Sequence, residues 1–266
     1  MTVKKTHIVL ATKDLSIGYR QRKKQQIIAS DINLHIEAGK FVALLGKNGI
    51  GKSTLLRTIS GVQEALGGST SLKAKEISKF SNVELAKALS VVLTERLPES
   101  QLTVYQLITL GRQPYTNWID TLSGTDIEKI DWAIEMTEIA HLKNRPFYEL
   151  SDGQLQRVLI ARALAQDTDL IILDEPTAHL DIHHTIKIFT LLQKLVETTD
   201  KTIIISTHEV NLAMQFANNF ILLDEEKCHH GTLDELISEN SFDTLFRSNL
   251  IKFNRSLKQF VIQKDN

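Results

Sequence analysis

The residues best suited to chemistry lie in a glycine-rich stretch, LGKNGIGKST, at positions 45–54. The pattern G-x-x-x-x-G-K-[ST] is met by Gly46, Gly51, Lys52 and Ser53. Glycines let successive backbone N–H groups turn inward on an anion, and a following helix adds its positive N-terminal end. In such a loop the lysine reaches the terminal phosphates of a nucleotide, and the serine hydroxyl binds Mg²⁺. The stretch therefore predicts a nucleoside triphosphate site.

The flanks of this stretch favour the same interpretation. Residues 40–45 (KFVALL) have the length and apolar character of a strand, and residues 53–60 (STLLRTIS) have helical spacing up to Gly61. A glycine-rich turn ahead of an ordinary helix is the competing interpretation, and the two matching flanks disfavour it. The residues predicted to contact the nucleotide are Gly46, Lys47, Asn48, Gly49, Ile50, Gly51, Lys52, Ser53 and Thr54.

A pair of acids forms a second candidate site. The apolar run LIIL at 170–173 reads as a buried parallel strand, and it ends in Asp174, Glu175 and Pro176. Ligands of open α/β sheets bind beyond the carboxyl ends of such strands, where the phosphate loop is also expected. There Asp174 would coordinate Mg²⁺ and Glu175 would accept a proton from the attacking water. Helix capping would account for Pro176, but it does not explain two adjacent acids after an apolar strand.

Two single residues could complete this site. His208 follows the apolar strand-like run TIIIS and could hydrogen-bond the γ-phosphate or position Glu175. A lone histidine usually serves packing, and its place at the same predicted sheet edge as Asp174 favours function. Tyr19, at the end of an early strand, could stack on a purine ring, with packing as the alternative.

Composition sets the outer bounds. The 266 residues suit one large domain, and a hydrophobic content of 42% can build a substantial core. The single cysteine, Cys228, excludes a disulfide framework. A net charge of −1 argues against a general nucleic-acid binder. The sequence has no run of 18 apolar residues, and the start lacks a signal-peptide pattern, so we expect any membrane role to be peripheral.

The remaining patterns predict how the site is positioned. Residues 7–19 and 27–39 read as strands around a polar turn, which predicts an antiparallel N-terminal portion. Residues 97–164 change to helical patterns, with a capping box at Thr125 and Glu128 opening a long helix. A helical block is thus expected between the phosphate loop and the later strands.

The segment LSDGQLQRVLIARALA, at 150–165, narrows the class. Ser151 and Gln154 form a capping box ahead of an amphipathic helix. The segment resembles the LSGGQ signature motif of ATP-binding cassette (ABC) ATPases and lies before the acidic strand, as in that family. The chain resembles the family from about residue 10 to 235. Its other matches are Walker A at 46–54, Walker B with the catalytic glutamate at 170–175, the D-loop at 178–181, the switch histidine His208 and the adenine-stacking Tyr19.

The resemblance implies a fold and a domain organisation. The fold is α/β, a P-loop NTPase (RecA-like) core with an N-terminal antiparallel β portion and an inserted helical subdomain. The cassette would span 7–240, with its core at 7–95 and 166–240 and the helical subdomain at 96–165. Residues 241–266 would form a short C-terminal extension.

The resemblance also implies a mechanism. ATP and Mg²⁺ are the implied cofactors, with Lys52, Glu175 and His208 as catalytic residues and Ser53 and Asp174 as metal ligands. In that family two copies pack head to tail, so each ATP would lie between one copy's phosphate loop and the other's signature motif. The residues implied on that second side are Ser151, Gly153 and Gln154.

The implied partners are a second copy, integral-membrane permease subunits and, indirectly, a substrate-binding protein, with no nucleic acid. The implied location is cytoplasmic, on the inner face of the membrane. Residues 102–118 (LTVYQLITLGRQPYTNW) resemble the importer ATPases for iron chelates, haem and cobalamin. That likeness places Tyr105, Arg112, Tyr115 and Trp118 near the surface that meets the permease. Subdomain core is the alternative for all four, favoured more for Tyr105 than for Trp118. A soluble ABC ATPase of DNA repair or translation, or a non-catalytic nucleotide-binding regulator, remain the alternatives.

The sequence departs from the family pattern at two places. A glutamine that contacts Mg²⁺ usually follows the strand at 89–94, but Thr94 and Glu95 stand there. Either water completes the metal shell or Glu95 swings in. Asp152 replaces a glycine of the signature motif. An acid in the first helical turn suits the helix dipole but would repel a triphosphate, so we expect Asp152 to face away from it.

Overall fold

The computed structural model describes residues 7–21, 24–94, 100–116, 121–246 and 250–263. Its strands are β1 (Ile8–Gln21), β2 (Lys24–Ile32), β3 (His35–Glu37), β4 (Phe41–Leu45), β5 (Gly67–Leu72), β6 (Lys75–Glu76), β7 (Leu89–Val92), β8 (Leu170–Leu173), β9 (Thr202–Ser206), β10 (Asn219–Leu223), β11 (Cys228–Gly231), β12 (Ile251–Asn254) and β13 (Gln259–Ile262). Its α-helices are α1 (Lys52–Ile59), α2 (Asn82–Ala88), α3 (Val104–Thr109), α4 (Gly124–Met136), α5 (Asp152–Ala165), α6 (Ile182–Thr198), α7 (Val210–Phe216), α8 (Leu233–Ser238) and α9 (Ser241–Leu245).

A mainly parallel sheet carries the candidate site. Its strand order is β11-β10-β4-β9-β8-β7, and only the β10–β11 pair is antiparallel. The strand before the phosphate loop, β4, therefore lies between β9 and β10, and β9 separates it from the acidic strand β8. The carboxyl ends of β4, β8 and β9 meet at one edge, as the sequence predicts for 170–173 and 202–206.

Side-chain alternation along these strands builds a core on each face of the sheet. On β4, Phe41 and Ala43 pack into one core with the helical block, while Val42 and Leu44 pack into the other with α1 and the antiparallel strands. All five residues of β4 are buried. A parallel sheet covered on both faces in this way holds the ends of its strands rigidly.

The N-terminal antiparallel sheet has the order β2-β1-β5-β6, with β3 also paired to β1. The predicted polar turn between the first two strands is shorter than expected, because β1 continues to Gln21 and β2 begins at Lys24. The second predicted strand is divided into β2 and β3, with Asn33 and Leu34 between them. Thr12, on β1, donates its hydroxyl to the Ile32 carbonyl and so ties the break to the sheet.

The helical block begins its long helix two residues earlier than predicted. Ser123, not Thr125, is the N-cap of α4, and its partner in the capping box is Asp126 rather than Glu128. The Asp126 side chain also pairs with the buried guanidinium of Arg112. The Nε–Oδ1 and Nη2–Oδ1 distances are both 2.8 Å. One carboxylate therefore caps the helix and pairs with a buried cation.

Arg112 lies inside the helical block and not on its surface. It is 4% exposed and donates from Nη1 to the Ala165 carbonyl, at the end of α5. Its predicted place at the surface is therefore wrong, and it belongs to the subdomain core instead. The neighbouring Gly111 lies so close to α5 that a Cβ would be 2.3 Å from the Arg162 carbonyl oxygen. A 3₁₀ segment continues α3 as far as Tyr115.

The two tyrosines of the segment 102–118 lie in different environments. Tyr105 packs against the core of the helical block, as the alternative interpretation had it. Tyr115 is 36% exposed, and its ring lies 3.9 Å from the Arg112 guanidinium. Trp118 lies outside the described residues.

The C-terminal segment packs onto the parallel-sheet portion. Phe242, on α9, is 1% exposed and stacks on Phe253 of β12 with ring centroids 4.8 Å apart. The side-chain amide of Asn211, on α7, accepts from the Phe260 N–H at 2.8 Å and donates to its carbonyl at 3.0 Å. The predicted C-terminal extension at 241–266 thus contains α9 and the antiparallel β12–β13 hairpin.

Across the described ranges, the structure contains no helix with the length and apolar character needed to cross a bilayer.

Candidate nucleotide-binding and hydrolytic site

The glycine-rich loop connects β4 to α1, as its pattern predicts. Gly51, just before the helix, has a φ of 110°, which side-chain-bearing residues rarely adopt. At Gly46 a Cβ would lie 2.6 Å from the Leu223 carbonyl oxygen, so the loop passes too close to β10 for a side chain. The path of the loop therefore requires glycine at both positions, and loops of this kind turn successive N–H groups toward a bound anion.

Lys52 is buried at the first position of α1, with 4% of the residue exposed. Its ammonium donates to the carbonyls of Gly46 at 3.0 Å and Lys47 at 3.2 Å. Burial lowers the pKa of Lys52, and the nearby carboxylates of Glu175 and Asp174 act in the opposite direction. The loop thus holds its cation at its centre, ready for a ligand of opposite charge.

The carboxylate of Asp174 connects this loop to the end of β8. Asp174 is 2% exposed, and its Oδ1 accepts from the hydroxyl of Ser53 at 3.1 Å. Its Oδ2 accepts from the hydroxyl of Thr94 at 3.4 Å. The two predicted metal ligands are therefore adjacent, and the residue that stands in place of the expected glutamine faces them. Glu95 lies outside the described residues.

Sequence reasoning missed Ser206, the last residue of β9. Its hydroxyl donates to Asp174 Oδ1 at 2.6 Å and accepts from the Glu175 N–H at 2.8 Å. The available signal was a polar residue at the end of the apolar strand TIIIS, at the same sheet edge as the acids.

Glu175 and His208 form a pair at this edge. The His208 Nε2 lies 2.5 Å from Glu175 Oε1, and the Glu175 side chain is 23% exposed. The φ of Glu175 is 48°, so its backbone turns sharply as soon as β8 ends. The carboxylate then contacts the histidine that follows β9. The predicted grouping of this acid with this histidine is present in the structure.

The predicted aromatic contact lies on the other side of the loop. Tyr19 is 45% exposed, and its hydroxyl is 3.0 Å from the Thr54 hydroxyl on α1. Its ring is therefore close to the helix that begins at the phosphate loop. Lys47, within the loop, directs its ammonium to Glu225 at 3.2 Å.

The residues of the predicted signature motif lie at the start of α5. The side chains of Ser151 and Gln154 each accept from the backbone N–H of the other, in the predicted capping box. Gly153 is buried against α6, where a Cβ would lie 2.9 Å from the His184 ring. Asp152 is exposed on a cleft of about 700 Å³ that also has Ser53, Asp174 and Glu175 in its walls.

The donor set fits a magnesium ion. Ser53 supplies a hydroxyl and Asp174 a carboxylate, and hard oxygen donors are those that Mg²⁺ prefers. Within the described ranges, no group of three or more His, Cys, Asp or Glu side chains could hold a metal ion. Mg²⁺ commonly takes only one or two protein ligands and completes its shell with phosphate oxygens and water. Two oxygen donors beside a phosphate loop match that mode of binding.

Comparison with known proteins identifies the family. A family model described as ABC transporter matches residues 29–178, which is more than half of the chain. The chain belongs to the ABC transporter family. It is an ABC ATPase, a subunit that binds and hydrolyses ATP, and the predicted resemblance to that family is confirmed.

One relative and two solved structures illustrate the match. The iron(3+)-hydroxamate import ATP-binding protein of Bacillus subtilis is 37% identical over 239 residues, covering 90% of this chain and 87% of that protein. A metal-chelate type ABC transporter in an inward-facing conformation aligns with a TM-score of 0.77 at 25% identity, covering 96% of each chain. A bacterial ABC cassette solved as a dimer aligns with a TM-score of 0.72 at 28% identity, covering 84% and 98%. The ABC ATPase fold predicted from the sequence is thus confirmed.

Proposed function

We propose that this ABC ATPase powers an importer for an iron chelate of the siderophore type, by closing on Mg-ATP as a homodimer against membrane permease subunits. The observation that carries the hydrolytic part is the convergence of Ser53, Asp174, Glu175 and His208 at one sheet edge beside Lys52. The import role and the substrate class are supported by the relatives, whose names include iron(3+)-hydroxamate import and metal-chelate transport.

Each residue of the sheet edge has one task in this scheme. Lys52 and the loop N–H groups bind the phosphates, and burial of the ammonium strengthens its attraction for them. Ser53 and Asp174 would hold Mg²⁺, which supplies charge neutralisation on the transferred phosphoryl group. Glu175 takes the proton of the attacking water, because its carboxylate extends from the strand end into the cleft. His208 orients that carboxylate from 2.5 Å.

The second side of the nucleotide comes from another copy in this proposal. Ser151, Gly153 and Gln154 begin α5, and a helix N-terminus offers N–H donors and a favourable dipole to a phosphate. The hydrogen bonds of Ser151 and Gln154 do not reach the phosphate loop of their own chain. A related cassette has been solved as a dimer. Tyr19 would stack on the adenine beside Thr54.

The dimer is tested with Glu175→Gln, which keeps the shape of the side chain but removes the base. With saturating ATP and Mg²⁺, gel filtration should show a dimer for this variant and a monomer without nucleotide. Glu197→Gln, an exposed acid at the far end of α6, is the matched control and should behave as wild type. A Glu175→Gln protein that stays monomeric and keeps its ATPase activity would contradict the shared-site mechanism.

The importer role is tested separately, by coexpression with the membrane permease of an iron(3+)-hydroxamate importer. The ATPase should copurify with that membrane protein in detergent, and reconstituted vesicles should take up ferric hydroxamate with ATP present. Uptake of haem or cobalamin in place of the iron chelate would correct the substrate class. A failure to bind any permease would favour an ABC ATPase unconnected with transport.

A further inference from the structure

The carboxylate of Asp174 is held by hydroxyl groups from three separate elements. Ser53 donates from α1, Thr94 from the end of β7 and Ser206 from the end of β9. The bond from Ser206 is the shortest of the three, at 2.6 Å, against 3.1 Å and 3.4 Å for the others. Ser206 is fully buried, with an exposed fraction of 0%. Short hydrogen bonds to a buried carboxylate are among the strongest that a hydroxyl makes.

The Ser206 hydroxyl makes a second hydrogen bond, with the backbone of Glu175, the residue that follows Asp174. It accepts from the Glu175 N–H at 2.8 Å, while its own proton goes to Asp174. Because a hydroxyl has one proton, accepting at one contact and donating at the other fixes its orientation. The φ of Glu175, 48°, is one that a residue with a side chain rarely adopts. The bond to Ser206 therefore stabilises a backbone turn that would otherwise be unfavourable.

We propose that Ser206 is a positioning residue for ATP hydrolysis, whose hydroxyl fixes the metal-binding carboxylate of Asp174 and the backbone of Glu175 in one arrangement. The inference rests on the proposed roles of Asp174 as metal ligand and Glu175 as base. Ser206 also precedes His208 by two residues, so the strand that carries the hydroxyl delivers the histidine to the same glutamate. One strand end thus sets the relative positions of ligand, base and histidine.

The Ser206 hydroxyl bonds Asp174 and Glu175 rather than the phosphate loop, although it shares Asp174 Oδ1 with the Ser53 hydroxyl. Lys52 is bonded to loop carbonyls and not to Ser206, and the Ser53 hydroxyl reaches Asp174 from the other element. Loss of the Ser206 hydroxyl should therefore disturb the metal and the base while leaving the grip on the phosphates intact. That expectation separates a positioning role from general damage to the fold.

The test compares Ser206→Ala with Ser90→Ala. Ser90 is also a buried serine of the parallel sheet, 1% exposed, but its hydroxyl accepts from Thr168 near the opposite ends of the strands. For Ser206→Ala we expect kcat to fall about tenfold, the size of losing one hydrogen bond to a charged group, with KM for ATP unchanged. Ser90→Ala should keep the wild-type kcat even if its melting temperature falls equally.

A second readout does not require hydrolysis. In a Glu175→Gln background, retention of a fluorescent ATP analogue is titrated with Mg²⁺. Adding Ser206→Ala should raise the half-maximal Mg²⁺ concentration about tenfold, since Asp174 loses its shortest bond. Retention without Mg²⁺ should not change. Ser206→Thr, which restores a hydroxyl, should recover most of the loss. Ser206→Cys, a poor donor of similar size, should not recover the loss. If the alanine variant does not fold, the comparison of the threonine and cysteine variants tests the positioning role instead.

Two results would overturn the inference. One is a Mg²⁺ titration of Ser206→Ala that matches wild type, and the other is an equal fall in kcat for Ser90→Ala. Absence of Mg²⁺-dependent hydrolysis in the wild type would instead refute the proposed function. In that case the Mg²⁺ titration still reports whether Ser206 positions Asp174.

Discussion

The carboxyl edge of the parallel sheet and the start of α5 differ in their side-chain hydrogen bonds. Those at the sheet edge join separate elements, whereas those at the start of α5 are local. At the sheet edge, the Asp174 carboxylate accepts from the hydroxyls of Ser53, Thr94 and Ser206, and Glu175 contacts His208, two residues after β9. At the start of α5, the capping box of Ser151 and Gln154 is local. Ser151 is exposed, and Gln154 is half-buried.

This difference shows what one copy can do alone. The sheet edge is assembled within the chain, because five strands deliver their carboxyl ends to one place and both faces of the sheet are packed. The start of α5 is positioned by packing of the helical block, and the side-chain hydrogen bonds of Ser151 and Gln154 stay within its first turn. In the proposed dimer, nucleotide binding belongs to the first region, and hydrolysis needs both. The predictions below separate these two contributions.

The largest effect is expected for Lys52→Ala, which removes the cation at the centre of the loop. Nucleotide affinity should fall by about 4 kcal/mol, roughly a thousandfold, because a buried charged partner of the phosphates is lost. The measurement is titration of a fluorescent ATP analogue. Lys47→Ala is the matched control in the same loop. The substitution keeps the loop backbone, and the Lys47 ammonium is directed to Glu225. The nucleotide affinity of this variant should therefore stay within about fivefold of wild type.

The same titration has a defined pH dependence. Burial lowers the pKa of Lys52, so its ammonium loses the proton at a lower pH than an ordinary lysine does. Wild-type affinity should therefore weaken as the pH rises toward that range, since the charge that attracts the phosphates is present only below the pKa. The residual affinity of Lys52→Ala should show no such decrease. A decrease of equal size in both proteins would place the titrating group elsewhere.

A smaller effect is expected for Arg112→Ala, which tests the packing that supports α5. Arg112 is buried with Asp126 and bonds the last turn of α5 through the Ala165 carbonyl. Leaving a buried carboxylate without its cation should lower the free energy of unfolding by about 3 kcal/mol, measured by urea denaturation. Arg157→Ala is the control, because its partner Glu138 is 70% exposed and the loss should be below about 1 kcal/mol.

ATPase assays connect Arg112 to the comparison. At a temperature where Arg112→Ala is still folded, its ATPase rate should fall while its affinity for ATP changes little. Changing Arg112 and Asp126 together to leucine should recover part of the stability, since no unpaired charge remains. Unchanged stability of Arg112→Ala would mean that the helical block does not depend on this pair.

The parts that could be predicted from the sequence are those specified by local patterns. The phosphate loop, the buried strand before Asp174 and the capping box at Ser151 are each encoded within a few residues, and the structure has each of them. The spatial grouping of Glu175 with His208 followed from a rule about strand ends, without knowledge of the strand order.

The parts that failed depend on partners far away in the sequence. The N-cap of α4 was misplaced because Asp126 is selected by Arg112, which lies 14 residues earlier. Arg112 was assigned to the surface because nothing local indicates that a carboxylate is buried beside it. Ser206 was missed because a serine at the end of a strand acquires its role only when β8 lies next to β9. The hydrogen bond from Thr94 to Asp174 likewise joins residues that are far apart in the sequence.

The smallest change in stability is expected for Ser151→Ala, which most directly tests the difference between the two regions. Removing the N-cap of α5 should lower the free energy of unfolding by about 1 kcal/mol. Thr232→Ala removes the equivalent cap of α8, whose capping box uses Glu235, and should cost about as much. The two variants therefore have matched losses of stability but differ in their distance from the proposed dimer contact.

Nucleotide affinity should match wild type in both, because the phosphate loop is complete within the chain. Only Ser151→Ala should lose ATPase activity, because its hydroxyl and helix start would face the nucleotide of the other copy. If Thr232→Ala lost as much activity as Ser151→Ala, the loss would follow from lower stability, and the start of α5 would have no special part in hydrolysis.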